Sequence, residues 1–518
     1  MMLTKDSSLA KGLPKTTESL CPECLSIIQA TIREDNGKVV MEKTCPQHGD
    51  FKDVVWSDAK TYLRVEKWAK DGMGVIDPAI PKAKQCPFDC GLCDLHLSHT
   101  ALANLDLTNR CNLKCPICFA NANSAGYVYE PDYDTVIKML KLLRSQKPVP
   151  CPAVQFSGGE PTIYPHFFKV IKAAREMGFA QVQAATNGIE FAKSLEFCKM
   201  ASEAGLNTLY LQFDGLRSEI YERARGKDLL ATKQKVVDNF RQLPTHPSIV
   251  LVPTVVKGVN DDQVWPILDY ALKNMDVIRG VNYQPVAFTG RMTREELVEG
   301  RYTLTDLIHD VEKQSGGKIK ASDWYPVPTV VAVSELVGAI AGKNMVTFTN
   351  HTHCGLATYL FVKDNEHIIP LTRFIDVDSL FTELYELAKK ASGKKVQLFT
   401  KVKAYSLIKK HIKKDQLPEG MNVMEFLNVL KRVFSEDTKK GLSKFSWNMM
   451  YVGAMHFMDS YNYDIERVKR CSIHYTTPDM RLIPFCAYNS GPVYRTDVEK
   501  RFSIPLDEWR KKHGDQYT

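Results

Sequence analysis

The sequence predicts an α/β fold: a partial (β/α)6 barrel of the TIM type over residues 101–290, with a cysteine-rich region before it and a helical region after it. Three observations carry that reading. Short strand-like runs alternate with helical runs about six times, and each strand run ends in glycine or a polar residue. Most of the 14 cysteines fall in groups. No apolar run reaches 18 residues, so no segment has the length of a membrane-spanning helix. The 518 residues are 44% hydrophobic and 25% charged, which excludes a disordered or collagen-like chain. The opening MMLTKDSSLAKGLPKTTESL lacks the apolar core of a secretory leader, so a cytoplasmic protein is expected. Thiols stay reduced there, and metal explains so many cysteines better than disulfides do. Net charge is +8, from 68 basic and 60 acidic residues.

Residues 1–65 read as a metal knuckle. CPEC is followed by twenty residues and then CPQHGD, which offers Cys21, Cys24, Cys45 and His48 to a single zinc or iron ion. Residues 66–100 carry CPFDCGLC, whose Cys86, Cys90 and Cys93 have the C-x3-C-x2-C spacing of a cluster loop. Their fourth ligand is not legible, and a structural zinc is the alternative.

The barrel region begins with the strand-like Leu105-Asp106-Leu107 and runs into LDLTNRCNLKCPICFA, with Cys111, Cys115 and Cys118 again spaced C-x3-C-x2-C. Three thiolates in one loop can hold three irons of a 4Fe-4S cube and leave the fourth iron open, with a structural zinc site as the alternative from spacing alone. Next come the strand runs Ala153–Phe156, Gln181–Ala185, Asn207–Phe213, Ser248–Val256 and Gly280–Gln284. Helical runs over Asp132–Leu143, Pro165–Met177, Phe191–Ala204 and Asp262–Leu272 lie between them. In a barrel of this kind the active site lies at the C-terminal rim of the strands. That places Ser157-Gly158-Gly159-Glu160, Asn187, Asp214 and the Val256–Gly258 segment as candidate ligand contacts, the last three against plain turn chemistry. Cys198 reads as a core thiol packed with Phe191, Leu195 and Phe197, and Cys151 as lying toward the opposite rim.

The cysteine loop and the Gly-Gly-Glu stretch together resemble the radical S-adenosylmethionine (SAM) superfamily. The resemblance implies a catalytic 4Fe-4S cluster on Cys111, Cys115 and Cys118. In that superfamily the SAM amino and carboxylate groups chelate the open iron, and one electron releases a 5′-deoxyadenosyl radical. The residue before the third cysteine is usually aromatic; here it is Ile117, and Phe119 just after becomes the candidate to pack near the adenine.

Residues 291–518 look mostly helical, over Ser379–Lys390, Val396–Lys414 and Asn422–Phe434. Lys389 to Lys414 hold ten lysines and no Asp or Glu. Val402, Tyr405, Leu407, Ile408 and Ile412 recur there at helical spacing, as on an amphipathic basic helix suited to a membrane surface, with a solvated face as the plainer reading. Met449, Met450, Met455, Phe457 and Met458 read as core, or as lining for an apolar channel. Cys354, Cys471 and Cys486 sit among loop residues and suit a further cluster, with His474 as a weaker candidate ligand.

Taken over the full chain, the CPxC…CPxHG knuckle, the CPxxCGxC loop, CNLKCPICFA and CxxHYxxPDxRxIPFCxYN resemble the archaeal radical SAM tetraether lipid synthases, a family earlier described as dihydropterin methyltransferases. The resemblance implies three 4Fe-4S clusters, one of them catalytic and two auxiliary, and a rubredoxin-like mononuclear iron or zinc. It further implies joining of the terminal methyl carbons of phytanyl chains in archaeal diether phospholipids, at a membrane surface. Electrons would come from a low-potential donor such as ferredoxin or flavodoxin, and no nucleic-acid partner is expected. A C-methyltransferase acting on a 7,8-dihydropterin and a peptide-modifying radical SAM enzyme are the alternatives.

Overall fold

The computed structural model describes residues 2–292, 300–363, 367–392, 397–417 and 448–514. The N-terminal region is a four-stranded antiparallel sheet, Lys15–Leu20, Ile27–Asp35, Lys38–Cys45 and Gly49–Trp56, paired in chain order. Alternation of the buried Ile28, Ala30 and Ile32 with the exposed Gln29 and the half-buried Thr31 and Arg33 buries one face of its second strand. Asn36-Gly37 reverses the chain into the third strand, both with the positive φ that a tight hairpin of this kind requires.

Six parallel strands follow: Leu102–Thr108, Ala153–Gly158, Gln181–Thr186, Thr208–Gln212, Ser248–Val252 and Ile278–Pro285. Each pairs in parallel with the next. The barrel is open, as predicted. The C-terminal half extends both of its edges. Asn448–Met455 joins the sixth strand in parallel and carries Gly355–Val362 antiparallel outside it. Ile473–Thr476 joins the first strand in parallel and carries Leu482–Pro484 outside it. Residues 291–518 therefore contribute strands as well as helices, and they protect sheet edges that would otherwise expose unpaired backbone groups. Met449, Met450 and Met455 lie in one of these strands, with Met450 buried, and Phe457 and Met458 follow its end.

The crossover helices match their predicted positions with two differences. The run read as one helix from Phe191 is two, Ile189–Lys193 and Leu195–Ala204, because the Ser194 hydroxyl accepts from the Phe197 N–H at 3.1 Å and caps the second. Cys198 is a core thiol as expected, but Leu195 faces solvent. The fourth crossover contains Ser218–Arg225 and Leu230–Arg241, neither of which the sequence reading had placed. Cys151 is buried, with its thiol toward the Ala153 carbonyl. In the C-terminal region, Val377–Ala391 and Gln397–Lys410 are helical, whereas the predicted Asn422–Phe434 helix lies outside the described residues.

A buried charge cluster pins the parts together. Arg301 reaches Asp53 of the N-terminal sheet at 2.5 Å and Asp459 of the C-terminal half at 2.8 Å. Asp459 also accepts from the Phe288 N–H at 2.9 Å, just past the sixth strand. Breaking a buried pair strands its partner charges, at about 3–5 kcal/mol. Arg301→Ala is thus expected to lower unfolding free energy by about that amount, measured by denaturant titration; a change within error would show the cluster to be dispensable.

Candidate active site

The first parallel strand ends at Thr108, and the loop beyond it has no regular structure until Tyr127. Side chains and a neighbouring strand end hold it instead. Asn123 closes it, accepting from the Cys111 N–H at 3.0 Å and donating to the Cys111 carbonyl at 2.7 Å. Arg291 donates to the Cys115 carbonyl at 2.8 Å, and Arg225 to the Ile117 carbonyl at 2.8 Å. The second strand supplies the remaining support. Gly159 N–H donates to Thr108 O at 2.7 Å and Glu160 N–H to Arg110 O at 2.9 Å. A Cβ on Gly158 or Gly159 would collide with Thr108 O or Arg110 O, so the paired glycines admit the cysteine loop's own backbone. The sequence reading had expected a ligand at that close approach.

Cys111, Cys115 and Cys118 line one wall of a cavity of about 270 Å3 at the C-terminal ends of the strands. Ser157, Gly158, Gly159, Glu160, Asn187 and Phe119 line it too. Strand residues Asn104, Gln155, Tyr210, Gln212 and Gln284 form a polar side, and Met455, Phe457, Met458 and Phe485 close it from the C-terminal half. Burial pushes the Cys111 and Cys115 thiols up, so neither ionises readily without a compensating cation. Phe119 is exposed and meets the Phe485 ring at 5.9 Å. Ile117 packs instead with Val256, Val286 and Met292.

The carboxylates among the predicted ligand contacts, Glu160 and Asp214, are bonded within the protein. The fully buried Glu160 carboxylate accepts from the Thr162 hydroxyl at 2.6 Å, the Thr186 hydroxyl at 2.7 Å and the Asn187 N–H at 2.8 Å. These bonds tie the second and third strand ends together. Asp214 does not line the cavity. Its carboxylate takes two bonds from Arg225, at 2.7 and 2.8 Å, and one from the Thr254 N–H at 3.1 Å. Asn187 does face the cavity and bonds Asn112 of the cysteine loop at 2.6 Å.

Sequence reasoning missed Arg225, Lys233, Asn123 and Arg291. Lys233 is fully buried and donates to the Asn187 carbonyl at 2.5 Å and to Gln212 at 2.9 Å. A signal for it existed, because Lys233 falls on the same helical face as Val236, Val237 and Phe240. The arginines offered none, since a buried arginine reads like an exposed one along a chain.

In the N-terminal sheet, Cys21, Cys24, Cys45 and His48 place their ligand atoms within 4.8 Å of one another. The His48 Nδ1 lies 3.4 Å from the Cys45 sulfur and 3.6 Å from that of Cys21. Ser26 beside Cys24 pulls that thiol down to about 6. The Gln47 N–H and His48 lower the Cys45 thiol too, and three thiols and an imidazole around one point fit a single tetrahedral ion. Among the described residues no other such set is that tight. The three barrel-loop thiols form no such set and instead line a common cavity, as a multi-iron cluster bound beside a ligand requires.

Comparison with known proteins agrees with this division. Residues 13–57 match the HMPTM N-terminal zinc ribbon domain, and residues 105–271 match the radical SAM superfamily. The 7,8-dihydro-6-hydroxymethylpterin dimethyltransferase of Methanocaldococcus jannaschii is 47% identical over 504 residues, 97% of this chain and 98% of that protein. The chain belongs to that protein's family of radical SAM enzymes. A GTP 3′,8-cyclase of Limosilactobacillus fermentum is 26% identical over 231 residues, 43% of this chain and 63% of its own. The crystal structure of Streptococcus suis SuiB bound to S-adenosylmethionine aligns at 18% identity and a TM-score of 0.35, over 42% of this chain and 48% of that one. None of these relatives is named for lipid synthesis.

For a radical SAM enzyme, the barrel-loop thiols and the cavity they face fit the cluster and SAM that the superfamily implies. Four of the further cysteines share a separate packing group. Cys86 and Cys90 are packed in one buried group with Cys471 and Cys486, although these pairs are hundreds of residues apart in the chain. Cys354 accepts from Arg467 at 3.3 Å, and Cys486 accepts from the Met458 N–H at 3.4 Å. The buried Tyr463 hydroxyl, within electrostatic reach of Cys86, Cys90 and Cys486, has no hydrogen-bond partner among the described residues. A donor left over beside thiols fits an acceptor such as a cluster sulfide. His474 lies against His96 at 3.1 Å, and burial keeps both neutral. No helix among the described residues is long and apolar enough to cross a membrane.

Two tests follow from this geometry. Burial lowers Lys233 to about 7 from an ordinary 10.5. Between those values the unfolded chain binds more protons than the folded one at this site, so its contribution makes stability rise with pH across that window. Lys233→Met is expected to flatten that rise, measured as the difference between variant and parent unfolding free energies at the two ends of the window; equal slopes would place the lysine in a wetter site. In the N-terminal sheet, Cys24→Ser is expected to lose one metal ion per chain and leave iron–sulfide content unchanged, checked by elemental and acid-labile sulfide analysis.

Proposed function

We propose that this radical SAM enzyme forms a carbon–carbon bond at an unactivated carbon held in the cavity between the cysteine loop and the C-terminal half. The observation that carries the reading is that Cys111, Cys115 and Cys118 line the same cavity as the apolar Met455, Phe457, Met458 and Phe485 of the C-terminal half. When bound, the cluster and SAM supply a carbon radical able to take hydrogen from a C–H bond. The chain's own residues then have separate tasks. Asn123, Arg225 and Arg291 fix the cysteine loop by its carbonyl and amide groups. Gly158 and Gly159 bring the second strand's end against it. The apolar C-terminal wall excludes water, which protects a radical from quenching.

Two substrates have specific support. The full-length relative at 47% identity is named for dimethylation of 7,8-dihydro-6-hydroxymethylpterin, which favours methyl transfer to a reduced pterin. Asn104, Gln155, Tyr210, Gln212 and Gln284 would suit the edge of such a heterocycle. The second reading is coupling of the methyl ends of isoprenoid chains in a diether phospholipid. The methionine and phenylalanine wall favours it, since flexible thioethers and rings suit an alkyl chain. Under either reading the auxiliary thiols around Tyr463 would hold additional clusters, fed by a low-potential electron donor.

The deciding experiment is anaerobic turnover of the reconstituted enzyme with each substrate in turn, with SAM products counted. Methyl transfer to an unactivated carbon is expected to yield S-adenosylhomocysteine from the methyl donor, 5′-deoxyadenosine carrying the abstracted hydrogen, and a heavier pterin. Lipid coupling is expected to yield 5′-deoxyadenosine and a phospholipid that has lost hydrogen. Cys115→Ala is expected to reduce 5′-deoxyadenosine formation to the uncatalysed background, and persistence of it would remove the cysteine loop from the reaction.

A further inference from the structure

We propose that the outer face of the helix Gln397–Lys410 is a docking surface for an anionic lipid bilayer. The 14-residue helix has two apolar sides with different fates. Ala404 and, beyond the helix end, Ile412 are buried, and Leu407 and Ile408 pack with them against the cluster containing Leu384, Tyr385 and Ala388 of the Val377–Ala391 helix. The opposite side is apolar as well and faces outward. Leu398 is 78% exposed, Phe399 63%, Val402 62% and Tyr405 40%. Leu398, Val402 and Tyr405 follow the i, i+4, i+7 spacing of a single stripe. The basic segment read from the sequence as one amphipathic face is thus divided, with Leu407, Ile408 and Ile412 turned inward and Val402 and Tyr405 outward.

A stripe of large apolar side chains on a protein surface marks a partner. Charge identifies which partner. Lys401, Lys403 and Lys409 are exposed around the stripe. The segment from Lys389 to Lys414 holds ten lysines and no Asp or Glu. A second copy of this chain docked on the same face by a two-fold axis would set these lysines against their own equivalents, a like-charge contact that opposes pairing. Nucleic acid would satisfy the lysines but would leave Leu398, Phe399 and Val402 against phosphate and sugar. A bilayer surface takes both features at once. Its phosphate layer meets the lysines, and the apolar stripe sinks just beneath, with the lysine stems covering its flanks. The helix is held from behind by packed side chains, so the face is presented ready-formed. This proposal stands on the surface alone and holds whichever substrate the active site takes.

The test uses the full chain with its metal centres and vesicles of phosphatidylglycerol or phosphatidylcholine, with bound protein measured by flotation. Binding to phosphatidylglycerol vesicles, weak binding to phosphatidylcholine and loss of binding at high salt are expected. K401E/K403E/K409E is expected to weaken binding by about a hundredfold, the scale set by three lysines at an anionic surface. L398S/F399S/V402S is expected to weaken it by about tenfold or more, since it removes the inserted side chains. Both variants should keep the N-terminal metal and the parent rate of 5′-deoxyadenosine formation, which separates lost docking from lost folding. No binding to phosphatidylglycerol, or equal binding by parent and variants, would overturn the proposal. So would a parent dimer in light scattering that L398S/F399S/V402S converts to monomer without changing vesicle binding.

Discussion

The cysteine loop of the barrel cannot hold its shape through a helix or strand ladder of its own, so its geometry comes from the backbone it is pressed against. The two hydrogen bonds from Gly159 and Glu160 to Thr108 and Arg110 are the constraint on which the site depends. They exist only because neither glycine carries a Cβ. They register the loop against the second strand, and the buried Glu160 carboxylate carries that register on to Thr186 and Asn187 of the third. Three strand ends and one loop thereby behave as a unit, and three thiols face a common space.

Around that unit lies an unusual density of buried charge. Asp214 with Arg225, Asp106 with Arg495, and Arg301 with Asp53 and Asp459 are all withdrawn from water. Each carries a desolvation cost that close pairing offsets but does not turn into a large gain. What such pairs supply is position. Arg225 spends its remaining donors on the Ile117 carbonyl and the Thr254 hydroxyl. Asp106, bonded to Arg495, accepts in turn from Ser157 at the cavity wall. Fixed dipoles and charges of this kind need not reorganise when a reaction alters charge nearby, the property that makes a preorganised site effective.

The C-terminal half does three things with one set of elements. Its strands cover both open edges of the parallel sheet, its residues Met455, Phe457, Met458 and Phe485 close the cavity, and its Cys471 and Cys486 pack in the same group as Cys86 and Cys90. Edge protection and cavity closure are linked, because the strand that pairs with the barrel's sixth strand also delivers Met455 to the cavity wall.

The sequence by itself determined what depends on neighbours in the chain. The C-x3-C-x2-C spacings, the knuckle spacing of Cys21, Cys24, Cys45 and His48, the period-two strands and the capped helices are local patterns, and local physics sets them. The open α/β barrel followed from their order. Tertiary structure alone decided which groups meet. Lys233 finds Asn187 across 46 residues, and Arg467 finds Cys354 across 113. It also decided that Asp214, legible as a polar residue at a strand end, bonds Arg225 away from the cavity, and that Glu160, although it lines the cavity, spends its carboxylate on Thr162, Thr186 and Asn187. Charge pairing and edge covering are contacts between distant segments, and no spacing along the chain records which surfaces will face each other once the sheet has formed.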